Sequence, residues 1–378
     1  MNTFCSYFNA GICRSCDLIE LNDQDQLRAK EKTLLNSLAM FKGSLEPTFY
    51  SDQQGFRNKM KMVVTGTIDA PIIGLQGEEH LDLGREILAC PVHHPVLNKL
   101  IASIVAFITL AKLTPYSIST KKGELKGIIA FVSPETNEVY LRFILRSEEA
   151  ITRITKFLST LVADVPELKV ISANIQPVPH AILEGEKEIF LTKNTFLNHR
   201  LNHLELQLGP QGFVQTNQKV ATALYQEAAL WVKESGVENF AELFCGQGAF
   251  SFFCAPYINQ GLGIEINVDA VKVANETAKK SGLHHLIFKA ADAASVKTEL
   301  NTFHPDMILV NPPRRGLTEA VNLFNEIRPA YIIYSSCNHE TLGKDIVSLT
   351  GYRVIKVKLF DMFPHTSHFE TLVLLQRL

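Results

Sequence analysis

Cys337 sits in YIIYSSCNHETL, residues 331–342, at the end of an apolar run and among two serines and an asparagine. A thiolate is a strong nucleophile, whereas a thiol in a core is a small hydrophobe. Taken alone, the residue type leaves both roles open. Polar Ser335, Ser336 and Asn338, followed by a helical segment whose N-terminus favours negative charge, turn the reading towards chemistry. A second stretch, ELFCGQGAF, runs from apolar residues into Gly246-Gln247-Gly248, and Glu265 closes the next apolar run. Glycines admit a ligand close to the backbone, and a carboxylate at the second strand end accepts hydrogen bonds from ribose hydroxyls. Ala249-Phe250-Ser251 stands where a dinucleotide fingerprint has its third glycine. S-adenosylmethionine, which has no pyrophosphate, therefore suits this loop better than NAD. A tight structural turn is the other source of such a G-x-G. Asp292 in FKAADAAS fits an adenine amino group or a helix cap equally well. Asn311 opens NPPR, a turn stiffened by two prolines that leaves the asparagine side chain facing a cofactor or base.

Cys5, Cys13 and Cys16, with Cys90 before Pro91 far downstream, form a second set of thiols. Structural zinc commonly uses two C-x2-C pairs, while a three-plus-one arrangement suits iron–sulfur ligation, and spacing leaves both open. Cys245 and Cys254 lack polar company and read as core. Seven cysteines without an export signal argue against a disulfide framework.

The elements that must position these residues follow from periodicity. TNQKVATALYQEAALWVKES reads as a helix with Val220, Leu224, Ala228 and Trp231 on one face, Thr216 or Asn217 as its cap and Gly236 as its stop. NFAELF, GLGIEI, LIFKA, DMILV and AYIIYSS read as five parallel strands alternating with helices such as VDAVKVANETAKK and HETLGKDIVSL. YRVIKVKLF and HFETLVLLQR, separated by DMFPHTS, suit an antiparallel hairpin at the sheet edge. That is the pattern of a class I, Rossmann-like methyltransferase sheet, and it brings Gly246, Glu265, Asn311 and Cys337 to the carboxyl ends of their strands, where such sheets bind ligands. Upstream, the hairpins expected at 127–147 and 181–194 and helices near 23–41 and 96–112 indicate an α+β domain. The expected division is 1–205 and 206–378.

The chain has 378 residues, 46% of them hydrophobic, enough for two cores. Its net charge of -2 implies that any nucleic-acid surface is a local patch. Arg57, Lys59 and Lys61, or Lys121, Lys122 and Lys126, are candidates for phosphate contacts, or else simply a solvated face. The start shows no secretory signal pattern, and the apolar stretch at 101–111 is too short to span a bilayer. A cytoplasmic monomer without a membrane partner is expected.

ELFCGQGAF, LVNPPRRG, IIYSSCN, the terminal HFE and FVQTN together resemble the RNA uracil-C5 methyltransferases, and FCSYFNAGICRSC and QGFRNKMKMVV extend the resemblance through the first half. It is nearest the branch acting on 23S ribosomal RNA, with transfer RNA as the rival substrate. The resemblance implies Cys337 as nucleophile at C6 of a uridine, Glu370 as the base that removes the C5 proton, and 5-methyluridine as product. It implies S-adenosylmethionine contacts at Gln215, Phe244, Gly246, Glu265, Asp292 and Asn311, and a 4Fe–4S cluster on Cys5, Cys13, Cys16 and Cys90 in an RNA-binding first domain. The target nucleotide must leave its stack to reach such a thiol. Many relatives carry an extra RNA-binding barrel before the cysteines, and this chain is expected to lack it. Two rivals are an amino-group methyltransferase, which needs an aromatic residue where Arg314 stands, and a non-catalytic RNA-binding relative.

Overall fold

The computed structural model describes residues 3–77, 82–178, 184–210 and 212–378. Contacts divide the chain into two units: Met1–Cys16, Asp52–Arg200 and Gln207–Gln211 form one, and Asp17–Ser51, Leu201–Leu206 and Gly212–Leu378 the other. A single boundary near residue 205 is thus too simple. Residues 17–51, expected in the first domain, pack with the second unit.

Their packing explains why. Helix Asp23–Ser37 is capped by Asn22, whose side chain accepts from the Asp25 N–H at 2.9 Å. It buries Leu34 in the same cluster as Ala241, Leu243, Val310 and Ile332. Lys30, fully buried, donates to Asp361 Oδ1 at 2.5 Å and to the Phe363 carbonyl at 3.0 Å. Strand Glu46–Phe49 then pairs in parallel with Tyr352–Phe360.

The second unit's eight-stranded sheet runs in the order Glu46–Phe49, Tyr352–Phe360, Glu370–Arg377, Tyr331–Ser336, Met307–Val310, Asn239–Leu243, Gln260–Glu265, Leu286–Ala290. Glu370–Arg377 lies antiparallel to both its neighbours, and the other pairings are parallel. The five expected parallel strands are present. The terminal hairpin is present too, but Glu46–Phe49 rather than that hairpin closes the edge. Alternate residues fill two cores: Phe240, Leu309, Ile333 and Leu372 on one face, and Ala241, Ile308, Ile332 and Val373 on the other. A sheet covered on both faces explains the nearly continuous apolar runs. Helix Gln218–Ser235 is capped by Asn217 and stopped by Gly236 at φ 61°.

The first unit has a seven-stranded sheet ordered Arg85–Glu86, Pro71–Leu75, Lys59–Gly66, Leu125–Val132, Val139–Leu145, Leu168–Ile175, Lys187–Phe190. The hairpin expected at 127–147 forms. Of that expected at 181–194, residues 181–183 lie outside the described residues, and Lys187–Phe190 pairs instead with Leu168–Ile175. Helices Pro95–Leu110 and Ile151–Asp164 cover one face with an apolar core. On the other face, Arg142 reaches Glu188 Oε2 at 2.7 Å and Glu184 Oε2 at 2.6 Å.

Candidate active site

The strand Asn239–Leu243 ends in a left-handed turn, with Phe244 at φ 60°, Gly246 at φ 54° and Gly248 at φ 82°, before helix Ala249–Cys254. The two glycines serve different ends. A Cβ at Gly248 would meet the Phe288 ring at 2.5 Å, whereas one at Gly246 would meet nothing within 4 Å. Gly248 therefore lets the loop pack, and Gly246 keeps its outer side open to a ligand. The Glu265 carboxylate accepts from the Gly246 N–H at 2.9 Å and from the Asn267 N–H at 2.9 Å, one on each oxygen. Each oxygen keeps a lone pair for a ribose hydroxyl, so the donor set fits a nucleoside.

Beneath the loop lies a carboxylate that the sequence reading missed. Glu242 accepts from the Ser251 N–H at 2.9 Å, and burial raises its pKa to about 8. The signal was an acidic residue inside the apolar run NFAELF.

Asn311 follows strand Met307–Val310 and is half-buried. Cys337 follows strand Tyr331–Ser336, beside it in the sheet, and is also half-buried. The antiparallel register pairs Ser335 with Leu372 and Ser336 with Thr371, so one step further brings the chain to Cys337 on one side and Glu370 on the other. Glu370 is buried, and Ser335 Oγ donates to its Oε1 at 2.9 Å. Burial raises the Glu370 pKa to about 7, opposed by that hydrogen bond. Burial, and then the Glu370 charge, raise the Cys337 pKa, while Arg314 acts against both. A carboxyl poised near neutrality beside a thiol is suited to proton transfer and covalent addition.

The remaining expected contacts are placed less uniformly. Gln215 is half-buried just ahead of Asn217, whose Nδ2 donates to Ser51 Oγ at 2.6 Å and to the Met362 carbonyl at 3.4 Å. Asp292 is exposed, and its Oδ1 accepts from the Ala294 N–H at 2.9 Å. It does not cap the following helix, Lys297–Phe303, whose N-cap is Val296. Cys245 and Cys254 are buried, as expected.

Cys5, Cys13, Cys16 and Cys90 all fall in the first unit. Burial raises the Cys90 pKa, with smaller contributions from Cys5 and Cys13, and Arg57 feels Cys90 and Cys16. Cys90 is thus within electrostatic reach of Cys5 and Cys13, with Cys16 near the same Arg57, and four soft donors are the chemistry of an iron–sulfur or zinc ligand set. As placed, no group of three or more His, Cys, Asp or Glu among the described residues is arranged to hold a metal ion.

The candidate phosphate contacts also divide. Lys126 is buried and donates to the Gln176 and Val178 carbonyls, which removes it from any solvent-facing patch. Lys61 pairs with Glu184, while Lys121 and Lys122 are exposed. Burial brings the Lys59 pKa down to about 8. Among the described residues, no helix is long and apolar enough to cross a membrane.

Residues 186–378 match the family described as tRNA (uracil-5-)-methyltransferase. The chain is 43% identical to the 23S rRNA (uracil(747)-C(5))-methyltransferase RlmC of Haemophilus influenzae strain PittGG, over 99% of this chain and 98% of the relative. It is 41% identical to the protein of the same name from Proteus mirabilis, over 98% of each. Among solved structures, the tRNA (uracil-54, C5)-methyltransferase of Pyrococcus abyssi, in complex with S-adenosyl-L-homocysteine, superposes with a TM-score of 0.79 at 25% identity. It covers 96% of this chain and 85% of that one.

Proposed function

This chain belongs to the tRNA (uracil-5-)-methyltransferase family, and we propose that it methylates C5 of a uridine in 23S ribosomal RNA, with S-adenosylmethionine as donor. The observation that carries this reading is the pairing of Cys337 with Glu370 at the strand ends that also present Gly246 and Glu265. Ribosomal RNA is favoured over transfer RNA because the relatives named for 23S rRNA match at 43%, against 25% for the tRNA enzyme. A ribosomal substrate is in keeping with a cytoplasmic monomer.

C5 of uracil is a weak nucleophile, so the reaction needs prior addition at C6. Cys337 Sγ forms that bond, and the C5=C6 electron pair moves towards O4. The donor would supply an electrophilic methyl on a sulfonium, which the enolate electron pair takes to C5, leaving a neutral thioether. Glu370 then accepts the C5 proton, the C5–H electron pair forms C5=C6, and Sγ is expelled with the C6–Sγ pair. Glu265 and the loop at Gly246 would hold the donor's nucleoside, with Gln215, Phe244, Asp292 and Asn311 around it. A Glu370 pKa of about 7 keeps a useful fraction ionised without making the base too weak.

Cys5, Cys13, Cys16 and Cys90 are proposed to hold a 4Fe–4S cluster that orders the first unit and helps position RNA. Support comes from the four-thiol donor set and from the electrostatic reach of Cys90 to Cys5 and Cys13. Iron and sulfide analysis of anaerobically purified protein, with Cys13→Ser as control, tests the ligation. Folding and RNA affinity unchanged in that variant would remove the structural role.

RNA containing 5-fluorouridine tests the main reading, because without a C5 proton the enzyme stalls as a covalent adduct. The adduct is expected with the native protein and absent from Cys337→Ala. Its persistence in that variant would overturn the assignment.

A further inference from the structure

Covalent addition requires a thiolate, yet burial and the neighbouring Glu370 charge oppose ionisation of Cys337. Glu370 cannot serve as both resting acceptor of the thiol proton and acceptor of the C5 proton. Another group must favour the thiolate. Arg314, third after Asn311 in the NPPR loop, brings its positive charge to bear on the Cys337 side chain, against both of those effects.

The placement is built in. The Arg314 carbonyl accepts from Asn338 Nδ2 at 2.9 Å and from Thr341 Oγ1 at 3.2 Å. Asn338 is the residue after Cys337, and its Oδ1 accepts from the Glu340 N–H at 3.1 Å to cap helix His339–Ser348. A second tie lies just beyond. Asp345 Oδ2 accepts from the Leu317 N–H and from the Tyr334 hydroxyl, each at 2.7 Å. The NPPR loop is therefore stapled to the cysteine strand and its helix at Arg314 and again just after it. Of the ionisable groups that bear on the thiol, Glu370 comes from the antiparallel strand, Tyr334 from the cysteine's own strand, and Arg314 from the facing loop. Arg314 is the cation among them.

We propose that Arg314 is a catalytic residue that holds Cys337 as a thiolate before addition and stabilises it again as the leaving group. This rests on the reading of Cys337 as the nucleophile. In the resting protein the thiol proton passes to solvent, and Glu370 stays free for C5. As the Sγ–C6 bond forms, the negative charge leaves sulfur for O4. Methyl transfer uses up that enolate charge in the new C5–CH3 bond; when Glu370 then takes the C5 proton, the C5–H electron pair forms C5=C6, the C6–Sγ bond breaks, and sulfur leaves as a thiolate beside the guanidinium.

The test is the pH profile of Cys337 alkylation by iodoacetamide, followed by peptide mass mapping in the full-length native protein, Arg314→Met and Arg314→Lys. Arg314→Met is expected to move the profile to higher pH and slow alkylation at neutral pH by about tenfold. Formation of the 5-fluorouridine adduct should slow in proportion. Arg314→Lys keeps a charge and should recover most of the loss, which separates the effect from misfolding. An unchanged alkylation profile in Arg314→Met overturns the proposal, even if RNA binding weakens and Arg314 proves to be a phosphate contact. Normal alkylation without any adduct in the native protein would instead strike the nucleophile reading.

Discussion

Two groups of carboxyls, one on each sheet, are held in opposite ways. In the second unit, Glu370 and Glu242 are buried carboxyls, each held by a serine and, among the described residues, without a cationic hydrogen-bond partner, and their pKa values rise to about 7 and about 8. In the first unit, Arg142 is buried against Glu188 and Glu184, and the Glu184 carboxyl ends below its ordinary value because hydrogen bonds from Lys61 and Arg142 outweigh burial. A compensated charge is locked into one protonation state. An uncompensated carboxyl near neutral pH can exchange a proton, which a base must do. The difference marks one sheet as the place of chemistry and the other as scaffold.

Glu370→Gln probes the reactive side of that contrast most strongly. Removing the base should lower kcat by roughly 10²–10⁴-fold, read by methyl transfer to 23S RNA, while the thiol adduct still forms and accumulates. The pH profile carries the same information. A base acts when unprotonated, so kcat should rise with pH and level off above about 7 in the native protein. Gln at 370 should remove that inflection.

On the scaffold side, Arg142→Met leaves two carboxylates facing a neutral side chain. It should cost about 3–5 kcal/mol in denaturant unfolding. Replacing Glu188 as well should return part of that loss, since an apolar pair has no charge to desolvate. If the single change were silent, the network would not be a locked scaffold.

The glycines separate packing from ligand access inside the reactive unit. Both are left-handed, a conformation that costs an alanine about 1–2 kcal/mol. Gly248→Ala also drives its methyl into the Phe288 ring and should lower Tm more than Gly246→Ala. The latter should be felt chiefly as weaker S-adenosylmethionine binding by calorimetry. Smallest of all, Lys61→Met removes a half-exposed pair with Glu184 and should change stability by no more than about 1 kcal/mol.

Much of the reactive side was legible because a parallel sheet concentrates function at one end of its strands. Gly246, Glu265, Asn311 and Cys337 each follow an apolar run, so finding the strands placed them together. Glu370 was named only through the resemblance, since a glutamate opening a late strand carries no signal of its burial. Arg314 was read only as the absence of an aromatic residue, because its contact with Cys337 depends on the fold of the loop. The scaffold network was illegible for a related reason. Arg142, Glu184 and Glu188 come from distant stretches and look like ordinary surface charges until the strands pair. The place of residues 17–51 was hidden too, because DQDQLRAKEKTLLNS is mostly polar and its buried Lys30 finds its carboxylate in Asp361, far along the chain.

That last partnership bears on how the molecule is made. Lys30 and strand Glu46–Phe49 leave the ribosome some 300 residues ahead of Asp361 and strand Tyr352–Phe360, with which they pair. The early segment must wait, solvated and unpaired, while some 300 residues are added, a long loop closure that slows the final step. A truncated product would leave Lys30 without its carboxylate and Glu46–Phe49 without its neighbour. The unit that bears Cys337 therefore cannot close the edge of its sheet until strand Tyr352–Phe360 has been made.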